Sequence, residues 1–144
     1  LIPYIDRIAV DLKCPLKKER YEYITNTDID PTLIEKTIKI INQNKNVDLE
    51  IRTTYVKNLL VQNDIHQIIH YLNDIRFTGT FVLQQYQYSE GVGKEHKEKF
   101  QKPEHTLLLD IVEEYLDKDL PFKIYIRDEI VGYSEIQEIF SKLI

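Results

Sequence analysis

Short segments rich in branched apolar residues alternate with helix-like segments, and this alternation limits the folds that the chain can adopt. Strands are predicted over residues 6–13, 47–56, 80–86 and 122–127. A helix-like segment follows each of them, with apolar residues at helical spacing, as in Ile34, Ile38 and Ile41. Strands joined by helices of this length form right-handed crossovers and lie parallel. The sequence therefore predicts an α/β fold with four parallel strands that alternate with helices.

Residues that favour helix starts mark where these helices should begin. Asp30 can accept hydrogen bonds in the first turn, and Pro31 suits the first helical position. Asp64, Pro103 and Ser134 mark the other predicted starts. The polar segments 16–29 and 89–102 are predicted to be irregular.

Composition excludes several classes of protein. With 144 residues the chain can form one ordinary domain with a core. A net charge of −5 argues against a broadly basic surface for nucleic acid, and no apolar run approaches the ~20 residues of a membrane span. We therefore expect neither nucleic acid nor membrane as a partner. One cysteine cannot form an internal disulfide or a cysteine-only metal site.

The predicted strands carry charge on one of their two faces. Ile8, Val10 and Leu12 alternate with polar neighbours, and the other strands show the same pattern. Two interpretations have similar weight: a curved sheet around a polar ligand site, or an open sheet with one solvated face. Under the first, ligands would lie at the carboxyl ends of the strands. The candidate ligand-binding residues are then Asp11, Lys13, Arg52, Thr53, Thr54, Gln85, Gln87 and Arg127.

Two further features are weak signals of chemistry. His66 and His70 lie one helical turn apart, but Gln67 stands where a zinc protease would have its glutamate. We interpret this pair as part of a solvated helix face. Cys14 follows a strand and is expected to be a small buried side chain rather than a reactive thiol.

Three motifs resemble those of one enzyme family. The segment IDRIAVDLKCPL from Ile5 to Leu16 resembles a stretch of the radical S-adenosylmethionine (SAM) activating enzymes. EIRTT from Glu50 to Thr54 and VLQQY from Val82 to Tyr86 resemble two further strands of that family, in family order and spacing. The anaerobic ribonucleoside-triphosphate reductase activating proteins match best, and the pyruvate formate-lyase activating enzymes come next. The resemblance extends from about Leu1 to Gln87.

The resemblance implies a fold, two cofactors and a partner. In this family a partial (β/α) barrel, similar to a TIM barrel, holds a [4Fe-4S] cluster on a CxxxCxxC loop. The cluster reduces SAM to a radical that abstracts hydrogen from a glycine of the partner enzyme. The expected partner is a glycyl-radical enzyme of the anaerobic ribonucleotide reductase or pyruvate formate-lyase type, in an anaerobic cytoplasm.

The resemblance also implies roles for individual residues. Asp11 and Lys13 are expected in the SAM pocket, with Asp11 near a monovalent cation, and Arg52 is expected to pair with the SAM carboxylate. Gln87 falls where the lyase branch has a histidine that contacts SAM. Thr54 and Gln85 complete the set of residues expected to bind SAM.

The cluster motif and the family's GGE motif are both missing from the sequence. We therefore expect residues 1–144 to be the carboxyl-terminal portion of a radical SAM barrel, without its amino-terminal, cluster-binding half. The parent would be an oxidoreductase. This chain alone is expected to bind no cluster and no SAM, to contain no catalytic residue and to be inactive.

Two other functions stay open. The chain could be a non-catalytic α/β binding or assembly module without iron–sulfur chemistry, which self-associates through the exposed edge of its first strand. In the second alternative it is a small α/β enzyme that uses Asp11 and Lys13 as an acid–base pair.

Overall fold

A computed structural model describes residues 7–25, 30–88, 91 and 93–143 of the chain. Its elements, in chain order, are β1 (Arg7–Asp11), α1 (Lys18–Thr25), α2 (Pro31–Gln43), β2 (Asp48–Tyr55), α3 (Gln62–Asp74), β3 (Thr80–Gln85), α4 (Lys94–Lys99), α5 (His105–Val112), β4 (Lys123–Asp128), β5 (Gly132–Glu135) and α6 (Ile136–Ser141). Residues 1–6, 26–29, 89, 90 and 92 belong to segments interpreted above and lie outside the described residues.

The strands form one open sheet in the order β1-β2-β3-β4-β5. The four predicted strands pair in parallel, which confirms the predicted α/β fold and is consistent with part of a barrel. The sheet also contains β5, which was not predicted and which pairs antiparallel with β4.

A tight turn produces this extra strand. Asp128 accepts hydrogen bonds from the backbone N–H groups of Ile130 and Val131, each at 2.9 Å. Gly132 then takes a φ of +67°, which glycine adopts easily. Ser134 consequently lies in β5, and its predicted role as a helix start is wrong. The last helix begins at Ile136.

The other helix starts agree more closely with the sequence. Asp30 caps α2 by accepting a hydrogen bond from the Thr32 N–H at 3.0 Å, as predicted. The predicted start at Asp64 is two residues late, and Asp64 instead accepts the Val61 N–H at 2.8 Å from inside the first turn. The start predicted at Pro103 lies at His105.

Both segments that were predicted to be irregular contain a helix. The helix α1 is held by contacts distant in sequence: Arg20 pairs with the buried Asp64 of α3, and the Tyr21 hydroxyl accepts the Lys13 N–H at 3.3 Å. The exposed helix α4 follows Gly93 in the second segment. The polar sequence showed no sign of either helix. For α1 the reason is that tertiary contacts, rather than an apolar stripe, stabilise it.

One hydrophobic core lies between the sheet and the helices. The strands contribute alternate residues to it, including Leu49, Ile51, Phe81, Leu83 and Ile126. Buried residues of α2, α3, α5 and α6 belong to the same cluster, so these helices cover one face of the sheet. The opposite face is left to polar side chains. None of the described helices has both the length and the apolar character that spanning a bilayer requires.

Gly79, just before β3, packs closely against the backbone of β2. A Cβ atom added at Gly79 would lie 1.9 Å from the carbonyl oxygen of Leu49 and 2.7 Å from the Phe77 ring. We expect Gly79→Ala to lower the free energy of unfolding by roughly 3 kcal/mol, because the neighbouring strand must move. Gly93→Ala is the matched control, since nothing lies within 4 Å of its added Cβ. Urea unfolding of both variants checks this, and equal stabilities would contradict it.

Candidate functional site

The face of the sheet opposite the helices, hereafter the polar face, carries the candidate site. Alternation along the strands and the pairing register place these side chains on it. Its residues are Arg7, Ala9 and Asp11 of β1; Asp48, Glu50, Arg52 and Thr54 of β2; Thr80, Val82 and Gln84 of β3; Lys123, Tyr125 and Arg127 of β4; and Tyr133 and Glu135 of β5.

The polar face is concave along one diagonal. The Tyr133 hydroxyl donates a hydrogen bond to Glu50 Oε1 at 2.9 Å, although β5 and β2 are separated by β4 and β3. Tyr133 pairs with Arg127 near the carboxyl end of β4, while Glu50 lies in the row of Thr80 and Lys123. On a flat sheet these positions would be roughly 20 Å apart. Strong twist and curvature must therefore bring them together.

Glu50 is the central charge of this face, and only 1% of it is exposed. Arg7 and Arg52 donate to its two oxygens, and Tyr133 adds a third hydrogen bond. Burial by itself would raise the pKa of Glu50, but the hydrogen bonds from Arg52, Tyr133 and Arg7 outweigh it and hold the pKa below its ordinary value. The carboxylate therefore stays ionised inside the concave face.

The two interpretations of this face each hold in part. The sheet is open, as in the solvated alternative, and Asp11 and Lys13 are about half exposed. Glu50 and Val82 are nevertheless buried on the polar face, and Val82 lies outside the helix-side core. Because side chains of this face bury one another, it is more than a solvated surface.

The predicted site residues of β1 and β2 come together at the carboxyl end of the polar face. Asp11 pairs with Arg52 in the strand register, and Lys13 contacts the Asp11 carboxylate. Thr54 lies one row further along β2. These four side chains thus place two cations, one carboxylate and one hydroxyl on β1, β2 and the residues just after β1.

Gln84, which was not predicted, extends this group to β4. Its Nε2 donates to Thr54 Oγ1, and its Oε1 accepts from Arg127 Nη1, both at 3.2 Å. The guanidinium of Arg127 in turn stacks over the Tyr133 ring, 4.7 Å from its centre. Because side chains alternate along a strand, counting from Val82 in the sequence would have predicted Gln84 on the polar face.

Thr53 and Gln85 point to the helix side instead. Thr53 is buried and its hydroxyl donates to the Leu12 carbonyl at 2.8 Å. Gln85 is also buried, and its Nε2 donates to the Pro103 carbonyl at 2.8 Å. Gln85 therefore does not join Arg52 and Thr54, and its expected place on their face is wrong.

A separate depression at the carboxyl rim contains the remaining candidates. It has a volume of about 390 Å³ and is lined by Gln84, Gln85, Gln87, Arg127, Asp128 and Glu129. Gln87 is exposed there and donates to Gln85 Oε1. Beside this rim, His105 Nδ1 lies 2.5 Å from the carboxylate of Asp128. No spacing in the sequence indicated this pair, because it joins residues 23 positions apart.

A larger hollow of about 450 Å³ lies on the helix side, lined in part by Leu16, Glu35, His70 and Tyr71. It includes no side chain of the polar face. The charged residues that cluster on adjacent strands are all on the other side of the sheet.

The weak signals have structural explanations. Cys14 is fully buried, and burial raises the pKa of its thiol to about 12. His66 is not simply solvated as predicted, because its Nδ1 lies 2.6 Å from the buried Tyr115 hydroxyl. His70 is exposed. Within the described residues no group of three or more His, Cys, Asp or Glu side chains could hold a metal ion.

Comparison with known proteins supports the family resemblance at a coarse level. The chain is 28% identical over 117 residues to a protein of Methanocaldococcus jannaschii whose name proposes a glycyl-radical enzyme activating enzyme. The match covers 78% of this chain and 47% of the relative, so the chain spans about half the length of the curated relative. No protein-family profile matches the chain, and no solved structure matches it significantly. The similarity thus agrees with the resemblance that the three sequence motifs show.

The stability of the fold should depend on the ionisation of Glu50. Because its folded pKa lies below the ordinary value of 4.5, the unfolded chain binds the proton more readily. We expect the stabilisation to be complete above that ordinary value and to be lost as the pH falls through the lower, folded pKa.

Urea unfolding between about pH 3 and pH 7 measures this dependence. Glu50→Gln should reduce the slope of stability against pH in the acid range. Glu129→Gln is the control, because its carboxylate is 48% exposed and pairs only with Lys102 among the described contacts. Identical slopes in wild type and Glu50→Gln would contradict the assignment.

Proposed function

We propose that the chain is the carboxyl-terminal part of a radical SAM activating enzyme, which generates a glycyl radical on a partner of the anaerobic ribonucleotide reductase or pyruvate formate-lyase type. Its polar face would form one wall of the SAM site. The observation that carries this proposal is the clustering of Asp11, Lys13, Arg52 and Thr54 at the carboxyl ends of β1 and β2. The similarity to the Methanocaldococcus protein supports the same assignment.

The side chains present fit the amino-acid end of SAM. Arg52 uses its Nε to bind Glu50, which leaves the terminal guanidinium nitrogens for a ligand carboxylate. Asp11 is half exposed and can accept hydrogen bonds from an ammonium or hydroxyl group. Thr54 and Gln84 supply further polar contacts in the next row.

The work of this chain would be to bind and orient SAM. SAM, when bound, supplies the chemistry that abstracts hydrogen, and the protein supplies position and electrostatics. Arg52 would hold the carboxylate at the carboxyl end of β2. Asp11, the last residue of β1, and Lys13, two residues beyond it, form a contact pair that would close the adjacent edge of the site.

An iron–sulfur cluster does not fit the described residues. The single cysteine of the chain is Cys14, and its buried thiol, with a raised pKa, is a poor source of the thiolate that a cluster needs. We therefore assign no step of the reaction to a cluster held by this chain. Under this proposal its ligands come from another part of the parent protein.

Titration with SAM, followed by two-dimensional ¹H–¹⁵N NMR, tests the proposed site. The sequence predicts that this chain alone retains no SAM, and the polar face adds the expectation of weak binding, with a dissociation constant on the order of 1 mM. The largest shifts should occur at Asp11, Lys13, Arg52 and Thr54. Arg52→Gln should weaken binding about tenfold, since it removes the charged partner of the carboxylate.

Lys123→Gln is the matched control for this titration. Lys123 lies on the same face, is 68% exposed and occupies the amino-terminal end of β4. Its substitution should leave SAM binding unchanged. No shifts at about 10 mM SAM, or equal losses in both variants, would refute the proposed site.

Anaerobic reconstitution with iron and sulfide tests where the cluster ligands lie. We expect less than about one iron per chain and no cluster absorption, because a [4Fe-4S] cluster needs several cysteine thiolates. Iron analysis and the visible spectrum provide the measurement. A stable content of about four irons per chain would overturn this expectation.

A further inference from the structure

We infer that Glu50 and Tyr133 are positioning residues for Arg52, and that together they prepare its guanidinium to receive a ligand carboxylate. The inference rests on the proposed function for the identity of the ligand. It assigns a role to the buried Glu50. It also assigns one to Tyr133, which lies outside the segment that resembles the activating enzymes.

The two oxygens of Glu50 have different partners. Oε2 accepts from Arg52 Nε, whereas Oε1 accepts from Arg7 Nη2 and from the Tyr133 hydroxyl. Donors on both oxygens fix the plane of the carboxylate. The position of Glu50 therefore determines where the Arg52 guanidinium lies.

Anchoring at Nε has a specific geometric consequence. A guanidinium offers two edges for a carboxylate: one uses Nε and one terminal nitrogen, and the other uses both terminal nitrogens. Glu50 occupies Nε of Arg52, so the edge with both terminal nitrogens is left for a bidentate ligand contact. A free arginine side chain would lose rotamer entropy on binding, and this anchoring removes part of that loss in advance.

The charge of the network also favours an anion. Arg7 and Arg52 share the single carboxylate of Glu50, so the group carries one net positive charge. Arg52 is about one third exposed, while Glu50 is almost fully buried, so a ligand reaches the cation and not the acid.

Tyr133 supports Glu50 from the last strand. Its ring lies 4.7 Å from the Tyr125 ring and carries the Arg127 guanidinium on its face. These contacts hold the ring, while the hydroxyl alone reaches Glu50. Tyr133→Phe therefore removes the hydrogen bond to Glu50, together with the contact between the hydroxyl and Arg7, and keeps the packing of the ring.

Two ligands separate positioning from a general loss of structure. SAM carries a carboxylate, and decarboxylated SAM does not. We expect Glu50→Gln to weaken SAM about tenfold and Tyr133→Phe about threefold, with both variants binding decarboxylated SAM as the wild type does. Glu138→Gln is the control and should change neither constant, because Glu138 lies on α6, is 60% exposed and pairs with Lys142.

Hydrogen exchange of the Arg52 Nε–H provides a second readout. In the wild type this proton should exchange slowly, because it is bonded to a buried carboxylate, and in Glu50→Gln it should exchange at least about tenfold faster. Thermal unfolding confirms that each variant is folded. If Glu50→Gln does not fold, the binding and exchange measurements on Tyr133→Phe alone test the positioning role.

The outcomes distinguish the two proposals. If the wild type binds neither ligand, the proposed function fails, and the exchange of the Arg52 Nε–H alone decides whether Glu50 fixes this side chain. If the wild type binds SAM but folded variants lose both ligands equally, or lose neither, the positioning role is overturned and the SAM site stands. A selective loss of SAM supports both.

Discussion

A buried carboxylate at Glu50 sets the shape of the polar face. Burying this charge is costly unless donors surround it, and the donors come from β1, β2 and β5. Satisfying them requires the sheet to curve until strands at opposite sides of the sheet share one contact. Val82 is fully buried on this face, and the guanidinium groups of Arg7 and Arg52 meet at Glu50. The charge of the candidate site is thus held where the sheet is concave.

The parallel core of the fold could be predicted because its signals are local. Branched strand segments, the spacing of Ile34, Ile38 and Ile41, and the Asp30 cap all lie within one element each. The strand β5 could not be predicted in this way. It depends on a turn that the side chain of Asp128 organises, and on pairing with β4. The helix α1 likewise depends on Arg20 reaching Asp64, 44 residues away.

The candidate site was predictable to a similar extent. Alternation placed Asp11, Arg52 and Thr54 on one face, and the register confirms that arrangement. An error of one residue at the end of β3 exchanged Gln84 for Gln85, because each step along a strand reverses the face. The central role of Glu50 was hidden for a different reason. Its partner Tyr133 lies in a strand that the sequence pattern did not reveal.

The 83 residues between Glu50 and Tyr133 also affect how the protein is made. Synthesis proceeds from the amino end, and contacts between distant residues close costly loops. While a nascent chain ends before residue 133, Glu50 lacks its tyrosine partner and β4 lacks its antiparallel neighbour. The first three strands and their helices can pack earlier, since their contacts are closer in sequence. Completion of the concave face therefore has to wait until β5 has been synthesised.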